Sequence, residues 1–255
     1  MTTHLASPHM RIAAFDLGSN SFHLLVVDAH PDGTFVPLIK EKDMLRLGDA
    51  VGREGRIPDA LADRAVATVE RFRKLSVGAG TEEIHARATS ALREAENGGE
   101  VVDRMASEAG VKVRVISGKE EAQLIFEAVR AAVVIDPGPA WCLDLGGGSL
   151  EVMVGDRSGL QLAASVQLGV ARLSAELVTG DPYTSDDVRR LEKRVTSVLA
   201  PLADDVADLR PAMAVGSSGT FCDLGRMVAA RNTGSVPKSV NQFSFSRDEL
   251  LPLHK

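Results

Sequence analysis

Two short segments of the chain, 128 positions apart, combine glycine, serine and carboxylate side chains in the same order. Residues 16–28 read DLGSNSFHLLVVD and residues 144–156 read DLGGGSLEVMVGD. Both segments begin with Asp-Leu-Gly, both carry Ser at the sixth place and Val at the eleventh, and both end with Asp. Turns rich in Gly and Ser expose successive backbone N–H groups, and such concave turns bind anions. The repeated segment therefore predicts two similar phosphate-binding turns.

An aspartate leads each of these turns, Asp16 in the first and Asp144 in the second. A carboxylate repels phosphate unless a divalent cation lies between the two. Glu151 follows Asp144 by seven residues and is placed to reach the same ion from the returning strand. His23 stands at the matching place of the first segment. Only the second segment therefore offers a further carboxylate to a cation.

A third turn of similar composition, GSSGT at residues 216–220, follows a short apolar strand predicted at 212–215. It leads into a helix predicted over 221–230. Backbone donors at a helix N-terminus, aided by the helix dipole, form an anion site. The alternative is a tight turn in which a Ser or Thr caps the helix.

Apolar strands alternate with amphipathic helices along the chain, which predicts an α/β fold with helices packed on mixed sheets. Each repeated segment is a pair of strands joined by its Gly-containing turn, which is the pattern of a hairpin. The predicted strands lie at 12–16, 22–28, 84–88, 111–116, 141–145 and 212–215, and the predicted helices at 59–78, 101–109, 120–132 and 221–230.

The segment 134–139 ends one strand–helix series, because its two prolines and its glycine cannot continue the preceding helix. The strand–turn–strand pattern then begins again. We therefore expect a disordered leader at 1–10, an N-terminal lobe at 11–133 and a C-terminal lobe at 134–255. Two such lobes facing each other would hold one ligand across a cleft with their similar turns.

The bulk properties narrow the class of protein. The net charge of −6 at pH 7 argues against a protein that coats nucleic acid through a general basic field. No apolar run reaches the roughly 18–20 residues that span a bilayer, and the N-terminus lacks the pattern of a secretory signal. We therefore expect a cytoplasmic protein with no nucleic-acid or membrane partner, in which Cys142 and Cys222 are buried free thiols.

Six segments together resemble the exopolyphosphatase/guanosine pentaphosphate phosphatase (Ppx/GppA) family of the actin–chaperone–sugar-kinase superfamily. They read, in order, AAFDLGSNSFHLLV, MLRLGDAV, ARATSALREAEN, VISGKEEAQLIFEAV, CLDLGGGSLEVMV and AVGSSGT. The resemblance implies two duplicated ribonuclease-H-like (actin-like ATPase) lobes with mixed sheets and an interlobe cleft. The family's second lobe continues beyond the last residues of this chain, so we expect the C-terminal lobe to be truncated.

The resemblance also implies catalytic roles for single residues. Glu121 matches the family's catalytic base, which orients a water molecule and takes its proton. On their own, Glu120 and Glu121 are typical of a solvated helix start, where acidic residues are favoured by the dipole. Arg93 matches an arginine that contacts phosphate and neutralises the charge that builds up during transfer. Arg46 is expected to do the same further along the cleft, with a surface arginine as the alternative.

Metal and phosphate ligands follow from the same resemblance. The implied magnesium ligands are Asp144 and Glu151, with Asp16 acting through water. The implied phosphate-cradling residues are Ser19, Asn20, Gly147, Gly148, Ser149, Ser218, Gly219 and Thr220.

The implied activity is Mg²⁺-dependent hydrolysis of the terminal phosphate of inorganic polyphosphate, and the oxygen ligands also fit Mn²⁺. The alternative is a guanosine pentaphosphate (pppGpp) 5′-phosphohydrolase. The only Trp and Tyr, Trp141 and Tyr183, form no aromatic cluster for a guanine, which favours polyphosphate. A catalytically idle phosphate sensor is the third reading, and a sugar kinase is disfavoured because the chain lacks the late nucleoside-binding segment. Family members are often dimers, so a homodimer is one expected assembly.

Overall fold

The computed structural model describes residues 9–254 of the chain. Residues 1–8 of the predicted leader lie outside the described residues, and Met10 already opens the first strand. The chain separates into two compact units, one ending at Ser117 and the other beginning at Gly118. No helix within residues 9–254 is long and apolar enough to cross a membrane.

The first unit combines strands and helices in the order β1 (Met10–Leu17), β2 (Ser21–Ala29), β3 (Phe35–Met44), α1 (Leu47–Glu54), α2 (Asp59–Gly78), β4 (Glu83–Ala88), α3 (Ser90–Glu94), α4 (Gly98–Ser107) and β5 (Val113–Val115). The strands form one mixed sheet in the order β3-β2-β1-β4-β5. β1 pairs antiparallel with β2 and parallel with β4, so the predicted hairpin lies inside the sheet.

The second unit consists of α5 (Gly118–Ala132), β6 (Ala140–Leu145), β7 (Leu150–Asp156), β8 (Gly159–Val166), α6 (Val170–Leu177), α7 (Ser185–Asp208), β9 (Met213–Ser217), α8 (Ser218–Thr233), α9 (Arg247–Leu250) and a 3₁₀ turn (Leu251–His254). Its sheet has the order β8-β7-β6-β9. β6 pairs antiparallel with β7 and parallel with β9.

The two sheets repeat the same topology. The order β3-β2-β1-β4 of the first sheet corresponds strand for strand, and in strand direction, to β8-β7-β6-β9 of the second. Asp16 faces His23 in the first hairpin, as Asp144 faces Glu151 in the second. The prediction of a duplicated α/β fold with mixed sheets is therefore confirmed.

The repeat extends to an irregularity where the third strand of each unit pairs with the second. The register shifts between Val26 and Val27 of β2 and between Val154 and Gly155 of β7, which are again 128 positions apart. The extra residue lies in β3 and in β8 respectively, so both third strands carry an irregularity opposite the same place of the repeat. The likeness of the two units is therefore one of backbone geometry as well as of sequence.

Alternate residues of β1 and β2 build the core of the first unit. Phe15, Leu17, Phe22 and Leu24 are buried, and the ring of Phe15 meets that of Phe72 from α2 edge to face with centroids 5.6 Å apart. The period of two along the strands and the apolar stripe of α2 place these side chains together. The sequence analysis predicted the two strands and α2 from these patterns.

The helix α5 packs on the second sheet. Its residues Ala122 and Phe126 form a buried cluster with Cys142 of β6 and Met153 of β7. The structure thus divides the chain before α5, whereas the sequence analysis divides it after α5, at the Pro- and Gly-rich segment 134–139. A helix joins the unit that covers its apolar face, and a breaker sequence does not reveal which unit that is.

The cysteines are free thiols. Cys142 is buried, and burial raises the pKa of its thiol to about 11. Cys222 is half-buried rather than buried.

Several elements were not predicted from the sequence, namely β3, β8, α1, α3, α6 and α7. β3 and β8 are edge strands, and most of their residues are exposed or half-buried on both faces, so they lack an apolar alternation. α7 begins with a capping box in which Thr184 and Asp187 bond each other's backbone N–H. The spacing of Thr184 and Asp187 is typical of a capping box, so the start of α7 could have been predicted from the sequence.

Candidate active site

The turn between β6 and β7 is held by the N-terminus of α6. The N–H of Gly146 donates to the carbonyl of Ser149 at 3.0 Å and closes the turn. The N–H of Val170 donates to the carbonyl of Gly146, and that of Ala171 to the carbonyl of Gly147, both at 3.0 Å. The first amides of a helix have no partner within the helix, so here the turn supplies their acceptors.

The amides of the same turn are left for another partner. Across residues 9–254, the N–H groups of Gly147 and Gly148 donate to no backbone or side-chain acceptor of the chain. The carbonyl of Gly148 accepts from Nε of Arg172 at 2.9 Å. A turn whose carbonyls are engaged and whose amides are not is suited to hold an anion. This is the arrangement that the predicted phosphate role of the two glycines requires.

Gly169 allows α6 to approach the turn so closely. A Cβ atom at position 169 would lie 2.3 Å from the carbonyl carbon of Gly147 and 2.3 Å from that of Gly148. Atoms cannot come so near without displacing the backbone, so any side chain here would move the turn. Gly169 was not among the predicted site residues, because its role depends on a contact with a turn more than 20 positions away in sequence.

The carboxylate of Glu151 is buried at the base of this turn. The residue is 1% exposed, and it accepts a hydrogen bond from Oγ of Ser165 on β8 at 2.8 Å. Burial first, and then the carboxylates of Glu121 and Asp144, raise the pKa of Glu151 to about 7, against hydrogen bonds from Ser165 and Ser149. Two acidic side chains of the same unit thus act on Glu151 with like charge.

Asp144 lies opposite Glu151 in the register of β6 and β7. Burial raises the pKa of its carboxyl, and a hydrogen bond from the hydroxyl of Ser217 acts in the opposite direction. Directly paired residues of an antiparallel ladder point to the same face. The two carboxylates are therefore held side by side by the strands, as the seven-residue spacing predicted.

Glu121 lies in the first turn of α5 and is half-buried. It reaches Glu151 electrostatically because Ala122 and Phe126, on the buried side of α5, fix the helix against β6 and β7. Sequence resemblance implied a role for Glu121, and the structure adds its position beside the paired carboxylates.

The donor set of this cluster can be compared with what metals require. Within residues 9–254, no group of three or more His, Cys, Asp or Glu side chains is arranged to hold a metal ion by itself. The pair Asp144 and Glu151 suits Mg²⁺ nonetheless, because this ion keeps several waters and takes one or two carboxylates together with phosphate oxygens. The residues present therefore fit a cation that binds together with a phosphate substrate.

The third turn connects to the end of β6 through its hydroxyl groups. Oγ of Ser218 and Oγ1 of Thr220 donate to the carbonyl of Leu145 at 2.9 and 3.0 Å. Ser218 has a left-handed backbone, with φ of 82°. α8 begins at Ser218, and Gly219 lies in its first turn. The hydroxyls of Ser218 and Thr220 thus join β9 and α8 to β6, and the phosphate roles of Ser218, Gly219 and Thr220 stay predictions.

The first turn, between β1 and β2, repeats this construction. The N–H of Gly18 donates to the carbonyl of Ser21 at 3.2 Å, as Gly146 does to Ser149. Backbone amides at the start of α1 then take the turn's carbonyls: Arg46 donates to Asn20 and Gly48 donates to Ser19, both at 2.8 Å. In both units the helix after the third strand therefore holds the turn.

Ser19 also anchors a second helix, because its Oγ accepts the N–H of Ala91 at the start of α3 at 3.0 Å. Asp16 is exposed, and it lies opposite His23, whose Nε2 is 2.8 Å from Oγ of Ser21. The phosphate role of Ser19 and Asn20 and the metal role of Asp16 stay predictions.

The two predicted arginines both lie in the first unit. Nη1 of Arg93, in α3, donates to the carbonyl of Ile116 at 2.9 Å. Arg46 caps α1 with a left-handed backbone, and its Nε lies 2.9 Å from Oδ2 of Asp49. The side chain of Arg46 is 68% exposed, so solvent and an anion can both reach it.

Sequence reasoning missed the residues that support the carboxylates. Ser165 and Ser217 bond Glu151 and Asp144 from β8 and β9, and α6 holds the glycine turn through backbone amides. One signal for α6 was present. The helix follows the third strand of its unit as α1 does in the first, although a shift of α1 by 128 positions falls at 175–182 and only overlaps the end of α6 (Val170–Leu177).

Comparisons with known proteins agree with the family resemblance found in the sequence. The model of the Ppx/GppA phosphatase family matches residues 26–247. Exopolyphosphatase 1 of Mycobacterium tuberculosis and that of Mycobacterium bovis are each 37% identical to the chain over 230 residues. The matched stretch is 90% of this chain and 67% of each relative.

Solved structures of similar fold include the crystal structure of an exopolyphosphatase from Cytophaga hutchinsonii. It superposes with a TM-score of 0.86 at 30% identity, and the match covers 96% of this chain and 78% of that chain. A structure of the Aquifex aeolicus PPX-GPPA enzyme superposes with a TM-score of 0.71 at 27% identity, covering 87% and 72% of the two chains. These matches include residues of both units.

Proposed function

The chain belongs to the Ppx/GppA phosphatase family, and we propose on that premise that it is an exopolyphosphatase, a hydrolase of the terminal phosphoanhydride bond of inorganic polyphosphate. The observation that carries the proposal is the cluster of Glu121, Asp144 and Glu151 beside a glycine turn with unengaged amides. The 37% identity to exopolyphosphatases over most of the chain supports polyphosphate as the substrate.

The reaction needs a positioned base, an anion site and charge neutralisation. In the proposed mechanism, Glu121 orients a water molecule and accepts its proton as the water oxygen attacks the terminal phosphorus. The bond from this phosphorus to the bridging oxygen breaks, orthophosphate is released, and the bridging oxygen stays with the shortened chain. The amides of Gly147 and Gly148 donate to the phosphate oxygens, on which charge is spread during transfer.

The proposed cofactor is Mg²⁺, with Mn²⁺ as an ion of similar preference. Asp144 and Glu151 would hold it, and Asp16 would contribute through water. A cation at these carboxylates would neutralise phosphate oxygens and favour the ionised form of both side chains.

The predictions about the partner molecule, the cellular location and the oligomeric state belong to the same proposal. We expect polyphosphate as the partner molecule and a cytoplasmic location, with a homodimer as one candidate assembly. Sedimentation of the purified chain checks the last of these, and a sedimentation coefficient of a monomer would contradict it.

The test is orthophosphate release from long-chain polyphosphate with Mg²⁺, comparing the unaltered chain with Glu121→Gln. Loss of a general base costs about 10²–10⁴-fold in rate, so release should fall by at least roughly two orders of magnitude. Glu127→Gln is the matched control, because Glu127 lies on the same helix, is exposed and pairs with Arg130. That control should keep its activity.

Guanosine pentaphosphate, assayed in parallel, separates the two activities of the family. Release from this nucleotide alone would replace the proposal with the pppGpp 5′-phosphohydrolase. Release from neither substrate by a folded chain would favour a phosphate-binding sensor, and unchanged turnover in Glu121→Gln would contradict the assignment of the base.

A further inference from the structure

A row of ionisable residues crosses the first sheet beside the first turn. The strand registers align Lys42 of β3, His23 of β2, Asp16 of β1, Arg87 of β4 and Arg114 of β5. Residues paired across neighbouring strands share a face of the sheet. The sequence neighbours of these residues on β1, β2 and β4 belong to the buried core, so the row lies on the opposite face.

A second lysine lies on the same face as this row. Lys40 pairs with Leu25, two positions beyond the pair of Lys42 and His23. The two lysines therefore leave β3 on one face, about 7 Å apart. Both are exposed, and within the described part of the chain neither forms an ion pair with a carboxylate. Glu41 and Asp43 alternate with the lysines along β3 and leave it on the opposite face, so the excess of positive charge is confined to the face of the row.

The lysines continue directly from the phosphate turn. Ser21 closes the turn with its carbonyl, which accepts the N–H of Gly18. Its Oγ lies 2.8 Å from Nε2 of His23, which is half-buried. Lys42 follows on the next strand, about 4.8 Å away. Burial and the charge of Lys42 both lower the pKa of His23, as expected for neighbouring groups.

We propose that Ser21, His23, Lys40 and Lys42 form a subsite, the lysine subsite, that binds phosphate groups of the polyphosphate chain remote from the bond that is cleaved. The inference rests on the proposed function for the identity of the ligand. A linear chain of phosphates carries a charge on every unit, so a lysine pair at regular spacing attracts it without reading any other feature. Longer chains gain this contact and short ones do not.

Positive charges of the row lie on both sides of His23, with Lys42 on β3 and with Arg87 and Arg114 beyond Asp16. On the β3 side no carboxylate of the row stands between His23 and Lys42. This side therefore offers an anion at the first turn a positive charge that no acid of the row interrupts.

The competing explanation is that the two lysines protect an exposed edge. β3 is the outer strand of its sheet, and natural proteins place lysines on such strands to prevent pairing with other chains. This role requires only a charge on the edge, so it makes no difference between long and short phosphate chains.

The test compares Lys40→Gln/Lys42→Gln with Lys74→Gln/Lys112→Gln. The control removes the same charge from two exposed lysines of the first unit that lie outside its sheet. Binding of end-labelled long-chain polyphosphate is measured by fluorescence anisotropy, with tripolyphosphate as a competitor, in a Glu121→Gln background that keeps the ligand intact. We expect the dissociation constant for the long chain to rise roughly tenfold and its salt dependence to weaken by about one log–log unit per lysine. The constant for tripolyphosphate should change far less.

Three results would overturn the lysine subsite: unchanged affinity for the long chain, an equal loss for both ligands, or the same loss in the control variant. Unchanged affinity together with self-association, seen by light scattering, would assign the lysines to edge protection. The proposed function fails separately. If the unaltered chain releases no orthophosphate but its binding depends on Lys40 and Lys42, the subsite stands and the hydrolase does not.

Discussion

Glu151 is a buried acid with acidic neighbours, which is an unfavourable arrangement for folding alone. Its carboxylate is almost completely buried, and Glu121 and Asp144 act on it with like charge. Hydrogen bonds from Ser165 and Ser149 only partly offset the loss of water. Strongly perturbed acids of this kind are concentrated at functional sites. At the scale of the residue, the candidate site is therefore marked by a buried acid that lowers the stability of the fold.

Replacing this acid should separate activity from stability. In Glu151→Gln we expect orthophosphate release to fall by roughly two orders of magnitude or more, because a carboxylate beside the transferred phosphate is lost. The melting temperature, measured in a chelator, should stay equal or rise, because the neutral amide removes a buried charge repelled by two neighbours. Assays of release and of thermal unfolding on the same preparation check both statements.

The control is Glu192→Gln, the same change at an exposed position of α7. It should alter neither quantity. Near-normal release in Glu151→Gln would remove Glu151 from the active site, and a large fall in melting temperature would show a structural role instead.

At the scale of the element, each of the two Gly- and Ser-rich hairpin turns depends on a helix that follows the third strand of its unit. α1 and α6 direct their first amides at the carbonyls of the turns. The turn amides are thereby left for a ligand, since each peptide group has one donor and one acceptor side. The helices thus decide the orientation of the turns although they supply no predicted catalytic side chain.

The close approach of α6 yields a test at this scale. Gly169→Ala would place a Cβ atom 2.3 Å from backbone atoms of the turn, so the turn or the helix must move. Such overpacking destabilises a protein by about 1–3 kcal/mol. Because the displaced atoms belong to the proposed anion site, we expect a large loss of orthophosphate release and a higher KM, measured beside denaturant unfolding.

The matched control is Gly180→Ala, also in the second unit, where a Cβ atom would meet its nearest neighbour at an ordinary 4.0 Å. Stability and release should both be close to normal in this variant. If Gly169→Ala kept normal KM and turnover, the turn would not need α6 for its conformation.

At the scale of the whole molecule, the two units share a topology but differ in the depth of their cores. In the first unit a single cluster of buried side chains unites both hairpin strands with α2 and α4. The second unit has two smaller clusters of buried side chains. Many of the apolar residues of α7 that pack against one of these clusters are only partly buried. The two units thus share a strand topology but differ in how much of their apolar side chains they bury.

This difference predicts unequal protection of the two longest helices. Several residues of α2 are buried, among them Ala62, Ala65, Val69 and Phe72. In α7, which the structure describes along its whole length, only Asp187 is buried. Few buried contacts mean a low free energy of local opening. We expect amide hydrogens of α7 to exchange markedly faster than those of α2, in hydrogen–deuterium exchange mass spectrometry of the intact chain with correction for intrinsic rates. Equal protection of the two helices would contradict this view of the second unit.

The sequence by itself determined the features that depend on near neighbours. The apolar alternation of β1, β2 and β6, the stripe of α2 and the Gly- and Ser-rich turns are all local, and the structure has them where the sequence analysis placed them. The repeat of 128 residues also predicted the duplicated sheets. The seven-residue spacing placed Glu151 on the returning strand within reach of Asp144, because a hairpin's turn fixes its register.

Only the tertiary structure decided which distant residues complete the site. The bonds from Thr220 and Ser218 to Leu145 join residues 75 and 73 positions apart, and α5 reaches Glu151 through the packing of Phe126. Edge strands such as β3 carry no alternating pattern, and a helix such as α6 shows its purpose only beside the turn that it holds. Such contacts depend on the order and register of strands within the sheet, and no local pattern of residues encodes that arrangement.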